Sequence, residues 1–432
     1  MTLVIIGIIL LVLAVLGTPL FAVLAGLALV LFAMSDTGIV VLTEEHYKLA
    51  TSPHLITIPL FTLSGFLMAK SKAADRLINV SNAVLGWMPG GLAVVVIAAC
   101  AFFTTFTGAS GVTIVALGGL LFPMMVQDGY PERFSHGLIT ASGSIGLLFP
   151  PSLPIILYGI VAMASVDKLF VAGILPGALM VGVLSIYAMI VSKRSEVERI
   201  EFVPKEALSA LWEAKWEVMV PVVVLVSIYG GFVTIAEASA IAALYVLIVE
   251  VFILKDITLL PDDSGRADLA SVIYETMVMV GAILVILGVA MGLTNYLVQE
   301  QVPMQILEFI RQYIDDRTTF LLVLTVFLLI VGCMMDIFSA IAVVVPLITP
   351  IAADYGVDPI HLGIIFLANL EIGYITPPVG LNLFISSLAF DKPVVYLYRT
   401  ALPFLFLLLG TLLVITFWED LSLTLVRLLV GG

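Results

Sequence analysis

The sequence predicts an all-α polytopic membrane protein with inverted structural repeats, two re-entrant helical hairpins and two broken transmembrane helices. Three observations carry this. The 432 residues are 62% hydrophobic and 11% charged, with a mean hydropathy of +1.21, far outside the range of soluble domains. The motif Gly-x-x-x-Pro-Pro occurs twice, as "GLLFPPS" (146–152) and "GYITPPV" (373–379), each inside an apolar segment long enough to span a bilayer. A single offset of 227 superposes Pro150 on Pro377, Gly146 on Gly373, Pro123 on Pro350 and Gly65 on Gly292.

From the N-terminus, residues 2–34 form an apolar run too long for one crossing of a ~30 Å core at ~1.5 Å per residue. "GTP" at 17–19 divides it into a tight helical hairpin. It starts at Met1 without a basic leader or small-residue cleavage site, and so reads as a mature membrane segment. Further spans are predicted at 54–70, 135–163, 170–192, 216–233, 235–254, 271–298, 361–390 and 400–418, ten crossings in all. Segments 91–127 and 319–352 are too long for single spans. Each carries a small or polar cluster at its middle, "TFTGASGVT" (105–113) and "CMMDIFSA" (333–340), and reads as a re-entrant hairpin. The polar stretches 71–89 and 300–318 have helical apolar spacing, with Trp87 and Tyr313 placed to anchor at an interface, and read as amphipathic arms.

With each hairpin counted as no crossing, five crossings separate equivalent positions of the two halves. An odd number inserts the second half upside down. With the N-terminus outside, thirteen Lys and Arg fall on the cytoplasmic side and five outside, which satisfies the positive-inside rule. The division that follows is scaffold helices over 1–70, an arm over 71–90, a transport element over 91–163, linking scaffold over 164–299, a second arm over 300–318, a second transport element over 319–390 and a C-terminal scaffold helix over 391–432.

Proline lacks an N–H and clashes with the preceding turn, so "FPPS" and "TPPV" leave carbonyls without intrahelical partners. Beside a hairpin tip those oxygens form a small cage suited to a desolvated monovalent cation, and helix N-termini supply the opposite sign for an anion. Na⁺ is the natural occupant, because no carboxylate cluster accompanies either break. The first cage draws on Thr105, Ser110, Ser142, Gly146, Phe149 and Ser152. The second draws on Gly332, Ser339, Gly373, Thr376 and Val379. Any of these also fits the ordinary role of a small residue permitting close helix contact.

Polar side chains are costly in lipid, so Asp336, Asn369, Glu371 and Asn382 carry information. Ser110, Asp336, Asn369 and Asn382 are the candidates for substrate contact. Asp336 also fits a capping role, which is favoured because an acid would repel an anionic substrate. Glu371 is left open between a cation contact and a helix contact. His54, His136 and His361 sit near span ends and read as interfacial. Cys100 and Cys333 lie in apolar runs and read as small buried hydrophobes. The balance of 18 Lys+Arg against 31 Asp+Glu excludes nucleic acid as a partner. No His-Glu-x-x-His, Ser/His pair at a break or phosphate-binding glycine loop supports an enzyme.

"TGASGVTIVALGGLLFPMM" (107–125), "ASGSIGLLFPPSLPIILYG" (141–159), "GGFVTIAEASAIAALY" (230–245), "GCMMDIFSAIAVVVPLITPI" (332–351) and "NLEIGYITPPVGLNLFI" (369–385) resemble the large membrane subunit of tripartite ATP-independent periplasmic (TRAP) transporters over essentially the whole chain. The resemblance implies Na⁺-driven uptake of a small organic anion, a carboxylate or sulfonate, by elevator-type alternating access. At least two Na⁺ sites and no organic cofactor are implied. The implied partners are a periplasmic substrate-binding protein and a small four-helix membrane subunit on a separate chain, in the lipid bilayer of a bacterial inner membrane with the N-terminus periplasmic. Phe149 stands where the second repeat has Thr376, so a hydroxyl ligand is missing at the first break. The alternatives are a stand-alone sodium/anion symporter of similar architecture and, less favoured, a passive channel.

Overall fold

A computed structural model describes residues 20–34, 55–195, 203–261 and 266–431, with isolated positions before residue 55. The hairpin expected over 2–34 lies largely outside the described residues. Only its second arm is seen, as α1 (Leu20–Met34), and it packs on α12 (Leu269–Gln299) through Phe32 and Tyr296, whose ring centroids are 5.4 Å apart.

Among the described residues the chain is helical, and its only extended pairing is a bridge between Thr258 and Asp268. The first half runs α2 (Thr57–Lys70), α3 (Ala73–Leu85), α4 (Gly91–Thr107), α5 (Ser110–Gln127), α6 (Glu132–Ser142), a 3-10 turn (Ile145–Leu148), α7 (Leu153–Val161) and α8 (Val166–Arg194). A connecting set follows: α9 (Pro204–Glu213), α10 (Lys215–Tyr229) and α11 (Ile235–Leu247), which continues as a π-helical stretch to Ile253. The second half comprises α12, α13 (Val302–Arg311), α14 (Arg317–Met334), α15 (Ile337–Asp354), α16 (Pro359–Gly373), α17 (Leu381–Ala389), α18 (Val394–Phe417) and α19 (Glu419–Leu429).

The offset of 227 read from four Gly and Pro residues holds for whole elements. Adding it to the bounds of α5 gives 337–354, the bounds of α15, and adding it to the start of α6 gives Pro359, the start of α16. The arm α3 maps onto α13, and α4 maps onto α14 to within a residue. Contacts between the halves follow the same pairing, since α5 packs on α17 and α15 packs on α7. Each is the other with the halves exchanged, as in a two-fold, self-complementary interface.

Among the described residues seven helices are long and apolar enough to cross a membrane, and an eighth span forms if the bent pair Glu132–Leu148 and Leu153–Val161, at 48° to each other, counts as one. The expected spans 54–70 and 216–233 form helices of 14 and 15 residues. At ~1.5 Å per residue these helices are shorter than a ~30 Å core. The chain also forms a helix that periodicity did not single out, α9, which begins with Pro204 at its first turn and carries the exposed Trp212.

The arms are amphipathic as their spacing predicts, with Trp87 and Tyr313 exposed beside them. They are held differently. Arg76 of α3 donates to Asp256 at 2.7 Å and to Glu250 at 3.3 Å, and makes a further short contact with Glu217. Burial pulls this guanidinium down, but Asp256, Glu217 and Glu250 outweigh that and hold it above its ordinary value. Arg311 of α13 instead pairs with Asp354 at the end of α15, on the exposed surface.

His136 and His361 are fully buried. His361 bridges Ser422 Oγ and the Thr416 carbonyl, each at 3.2 Å. His136 lies between the rings of Phe122 and Phe390, with its Nδ1 2.8 Å from the Glu132 carbonyl. Both nitrogens of His361 are thus engaged, joining backbone to side chain, whereas His136 Nε2 has no partner. Among the described residues no group of His, Cys, Asp and Glu is arranged to hold a metal ion. Cys100 and Cys333 are free and buried.

Candidate functional site

Both helices of the Gly-x-x-x-Pro-Pro motif break where the prolines fall. Before each break the backbone tightens to i to i+3 bonding: Phe149 N donates to Gly146 O at 3.1 Å, and Thr376 N donates to Gly373 O at 2.9 Å, again 227 residues apart. The Pro150–Pro151 and Pro377–Pro378 bonds are both cis.

Each break sits against the end of the first hairpin helix of its own half, and glycine makes this possible. A Cβ at Gly146 would lie 2.1 Å from the Ala101 carbonyl oxygen and 2.6 Å from Thr105 N. A Cβ at Gly373 would lie 2.6 Å from the backbone of Gly332. These are equivalent contacts, since Thr105 and Gly332 are themselves 227 apart, and in both backbone meets backbone with no room for a side chain. Of the residues assigned to each cage, Thr105 thus meets Gly146 and Gly332 meets Gly373. Thr105 Oγ1 reaches the Gly146 carbonyl at 3.0 Å and the Ala101 carbonyl at 2.8 Å.

The hairpin tips are two residues each. The first turns at Gly108, in the left-handed region at φ +63°. The second turns at Met335 and Asp336, where Asp336 caps α15 by accepting from Phe338 N and Ser339 N at 3.0 Å each; Ser339 Oγ also closes on it. Both oxygens of Asp336 are thereby engaged. Tyr374, beside the second break, accepts from Ile337 N at 2.6 Å, and Gly380 N donates to the Cys333 carbonyl at 2.9 Å, which pins the break to its tip.

Between the two breaks lies a buried polar seam. Ser144 Oγ donates to the carbonyl of Glu371, its own repeat equivalent, at 3.3 Å. A residue that touches its counterpart lies at the pseudo-two-fold axis, so the axis passes between the breaks. Asn382 Nδ2 reaches Ser144 Oγ at 3.2 Å and the Thr140 carbonyl at 3.3 Å, and Thr140 Oγ1 bonds Ser386 Oγ at 2.9 Å. Sequence reasoning missed Thr140, Ser144 and Ser386. The offset rule itself, applied to Glu371, would have pointed to Ser144.

Several buried polar atoms in this region lack a partner: Ser142 Oγ, Ser152 Oγ, Asn369 Oδ1, Asn382 Oδ1 and both oxygens of Glu371. Ser142 and Asn369 are repeat equivalents, and unpaired buried polar atoms are otherwise rare in folded proteins. All but Ser152 and Asn382 lie on α6, α16 or the turn following them.

Not every candidate converges. The Phe149 ring packs on Gly177 of α8 and, with Pro150, walls an apolar cavity of about 270 Å³ that Thr105 also lines. Val379 is exposed. Thr376 Oγ1 is bonded to the Ile372 carbonyl at 2.9 Å, which aims the hydroxyl back along its helix. Ser110 is buried at the first residue of α5.

Helices broken at repeat-equivalent positions, each against a hairpin of the same half, define a polytopic helical membrane protein of the secondary-transporter class, not an enzyme. The chain belongs to the family described as "Tripartite ATP-independent periplasmic transporter, DctM component", whose pattern it matches over residues 7–421. It is 37% identical to the isethionate TRAP transporter permease protein DctMQ of Oleidesulfovibrio alaskensis over 84% of its own length, and spans 56% of that relative. It is 36% identical to the C4-dicarboxylate TRAP transporter large permease protein DctM of Pseudomonas aeruginosa, over 89% of this chain and 87% of the relative. The protein of the same description from Vibrio cholerae is 33% identical over 96% of both. Among solved structures, the YdaH transporter of Alcanivorax borkumensis, described as having an unusual topology, matches with a TM-score of 0.63 and 15% identity over 94% of this chain and 98% of that one. At that identity the likeness concerns the fold alone.

Proposed function

We propose that the protein is the large permease subunit of a Na⁺-driven uptake system for a small organic anion, delivered by a periplasmic substrate-binding protein and completed by a small four-helix membrane subunit in a bacterial inner membrane. The observation that carries this is the pair of broken helices held at hairpin tips with unpartnered buried oxygens at repeat-equivalent positions. Relatives named for C4-dicarboxylate and isethionate transport support a carboxylate or sulfonate substrate.

In this reading the mutual α5–α17 and α7–α15 contacts reflect a two-fold axis in the membrane plane, and the two hairpins are re-entrant. The segments 91–163 and 319–390 move together past the scaffold as an elevator. One Na⁺ binds among Thr105, Ser110, Ser142, Gly146, Phe149 and Ser152, and another among Gly332, Ser339, Gly373, Thr376 and Val379. Ser110, Asn369 and Asn382 remain the substrate contacts. Asp336 serves them indirectly, as the cap that fixes the second tip. The N-terminus faces the periplasm.

Proteoliposomes holding this chain with its small subunit test the reading, with the substrate-binding protein loaded outside. Saturable accumulation should require an inward Na⁺ gradient and the binding protein. Accumulation without the binding protein identifies a stand-alone symporter, and flux independent of Na⁺ removes the ion sites.

A further inference from the structure

Away from the breaks, a cavity of about 460 Å³ opens between the start of α6, the end of α8 and the start of α18. Arg133 and Arg399 line it, with the aromatic side chains of Phe134, Tyr187, Tyr396 and Phe404. Both arginines are exposed, and neither forms an ion pair or a side-chain hydrogen bond among the described residues. That sets them apart from Arg76, Arg311, Arg317 and Arg427, each of which has a carboxylate partner. Two unpaired guanidinium groups on one cavity stand out in a chain of net charge −13. Nearby charges reinforce the sign: Arg194 acts on Tyr187 and Lys392 acts on His136, against Glu132 beside Tyr396.

We infer that this cavity is a docking site for an anionic phospholipid, its phosphate held between Arg133 and Arg399 and its acyl chains laid against Phe134 and Phe404. Guanidinium forks match phosphate oxygens bidentately, which an ammonium does not. A basic cavity with an aromatic, apolar floor between transmembrane helices at the cytoplasmic side fits an acidic headgroup with its chains attached. The cytoplasmic placement rests on the topology proposed above; the binding does not depend on transport. Because Arg133 belongs to α6, which leads into the first break, and Arg399 to α18, a bound headgroup also ties the broken helix to its neighbour in the second half.

The test is native mass spectrometry of the purified complex of this chain with its small subunit, mixed with phosphatidylglycerol or phosphatidylcholine. The wild type should retain phosphatidylglycerol preferentially. R133Q/R399Q should weaken that retention by about 30-fold, from the loss of two basic contacts, and leave phosphatidylcholine unchanged. R133K/R399K should fall between, and V395W, which fills the cavity without changing charge, should match the double Gln variant. R427Q, at an arginine that does not line the cavity and is already paired with Asp420, should have no effect. Equal retention by wild type and R133Q/R399Q overturns the inference. So does full competition by millimolar inorganic phosphate, which would mark a small-anion site, or cross-linking of an R399C variant to the small subunit in every complex, which would mark a protein interface.

Discussion

The two breaks share a backbone and differ in access. Pro150, Pro151 and Ser152 are buried on all sides, and the Phe149 ring is tucked against α8. At the second break Pro377, Pro378 and Val379 are all exposed. Irregular backbone is not tolerated against lipid, so the exposed break faces water or another protein. The asymmetry extends outward. The first tip turns on a glycine and the second on an aspartate cap, and the first arm is fixed by three carboxylates while the second rests on one surface ion pair.

The largest test of this difference is at the arms. Arg76→Ala leaves Glu217 and Glu250 buried without a cation, and should cost about 3–5 kcal/mol of stability. Arg311→Ala should cost under about 1 kcal/mol. Thermal unfolding of the detergent-solubilised protein reads both, and equal losses would dissolve the contrast between a fixed arm and a loose one. Next come the two glycines. Gly146→Ala and Gly373→Ala each drive a Cβ into backbone, an overpacking cost of roughly 3 kcal/mol, and each should reduce Na⁺-dependent uptake to background while the chain still inserts. Uptake surviving at either position would show that its break tolerates separation from its hairpin.

A smaller effect separates the sites by chemistry. Thr376→Val removes the hydroxyl that bonds the Ile372 carbonyl and that the proposed ion site would turn toward Na⁺; it should raise the Na⁺ concentration for half-maximal uptake about tenfold or more, the scale of a hydrogen bond to a charged group. Phe149→Leu should leave it unchanged, because the first site has no hydroxyl there to lose. An unaltered Na⁺ dependence in Thr376→Val would take that side chain out of the ion site. Smallest is the cap: Asp336→Ala should lower stability by about 1 kcal/mol, and Asp336→Asn should recover most of it. If the Asn variant fails to transport although its stability is restored, the carboxylate does more than cap α15.

Much of this was legible because it depends on local chemistry. Proline pairs in apolar runs had to break their helices, and the offset of 227 needed only Gly and Pro to be seen. The Thr105/Gly146 and Gly332/Gly373 contacts followed from the same register. The unread parts are those in which a side chain's role depends on what lies across from it. His136 packs against Phe390 and His361 bonds Ser422, neighbours that only the fold supplies. Thr140, Ser144 and Ser386 are ordinary small polar residues until Asn382 and Glu371 come within reach.

The amino-acid order determined that the chain is membrane-embedded, that it is built twice, and where each copy must break, because hydropathy, repeat register and the missing N–H of proline are properties of a residue and its near neighbours. The tertiary structure decided which break is covered, which arm is anchored and which buried oxygens go without partners. Those follow from how helices far apart in the chain are packed together, and the same local motif is buried in one half and open in the other.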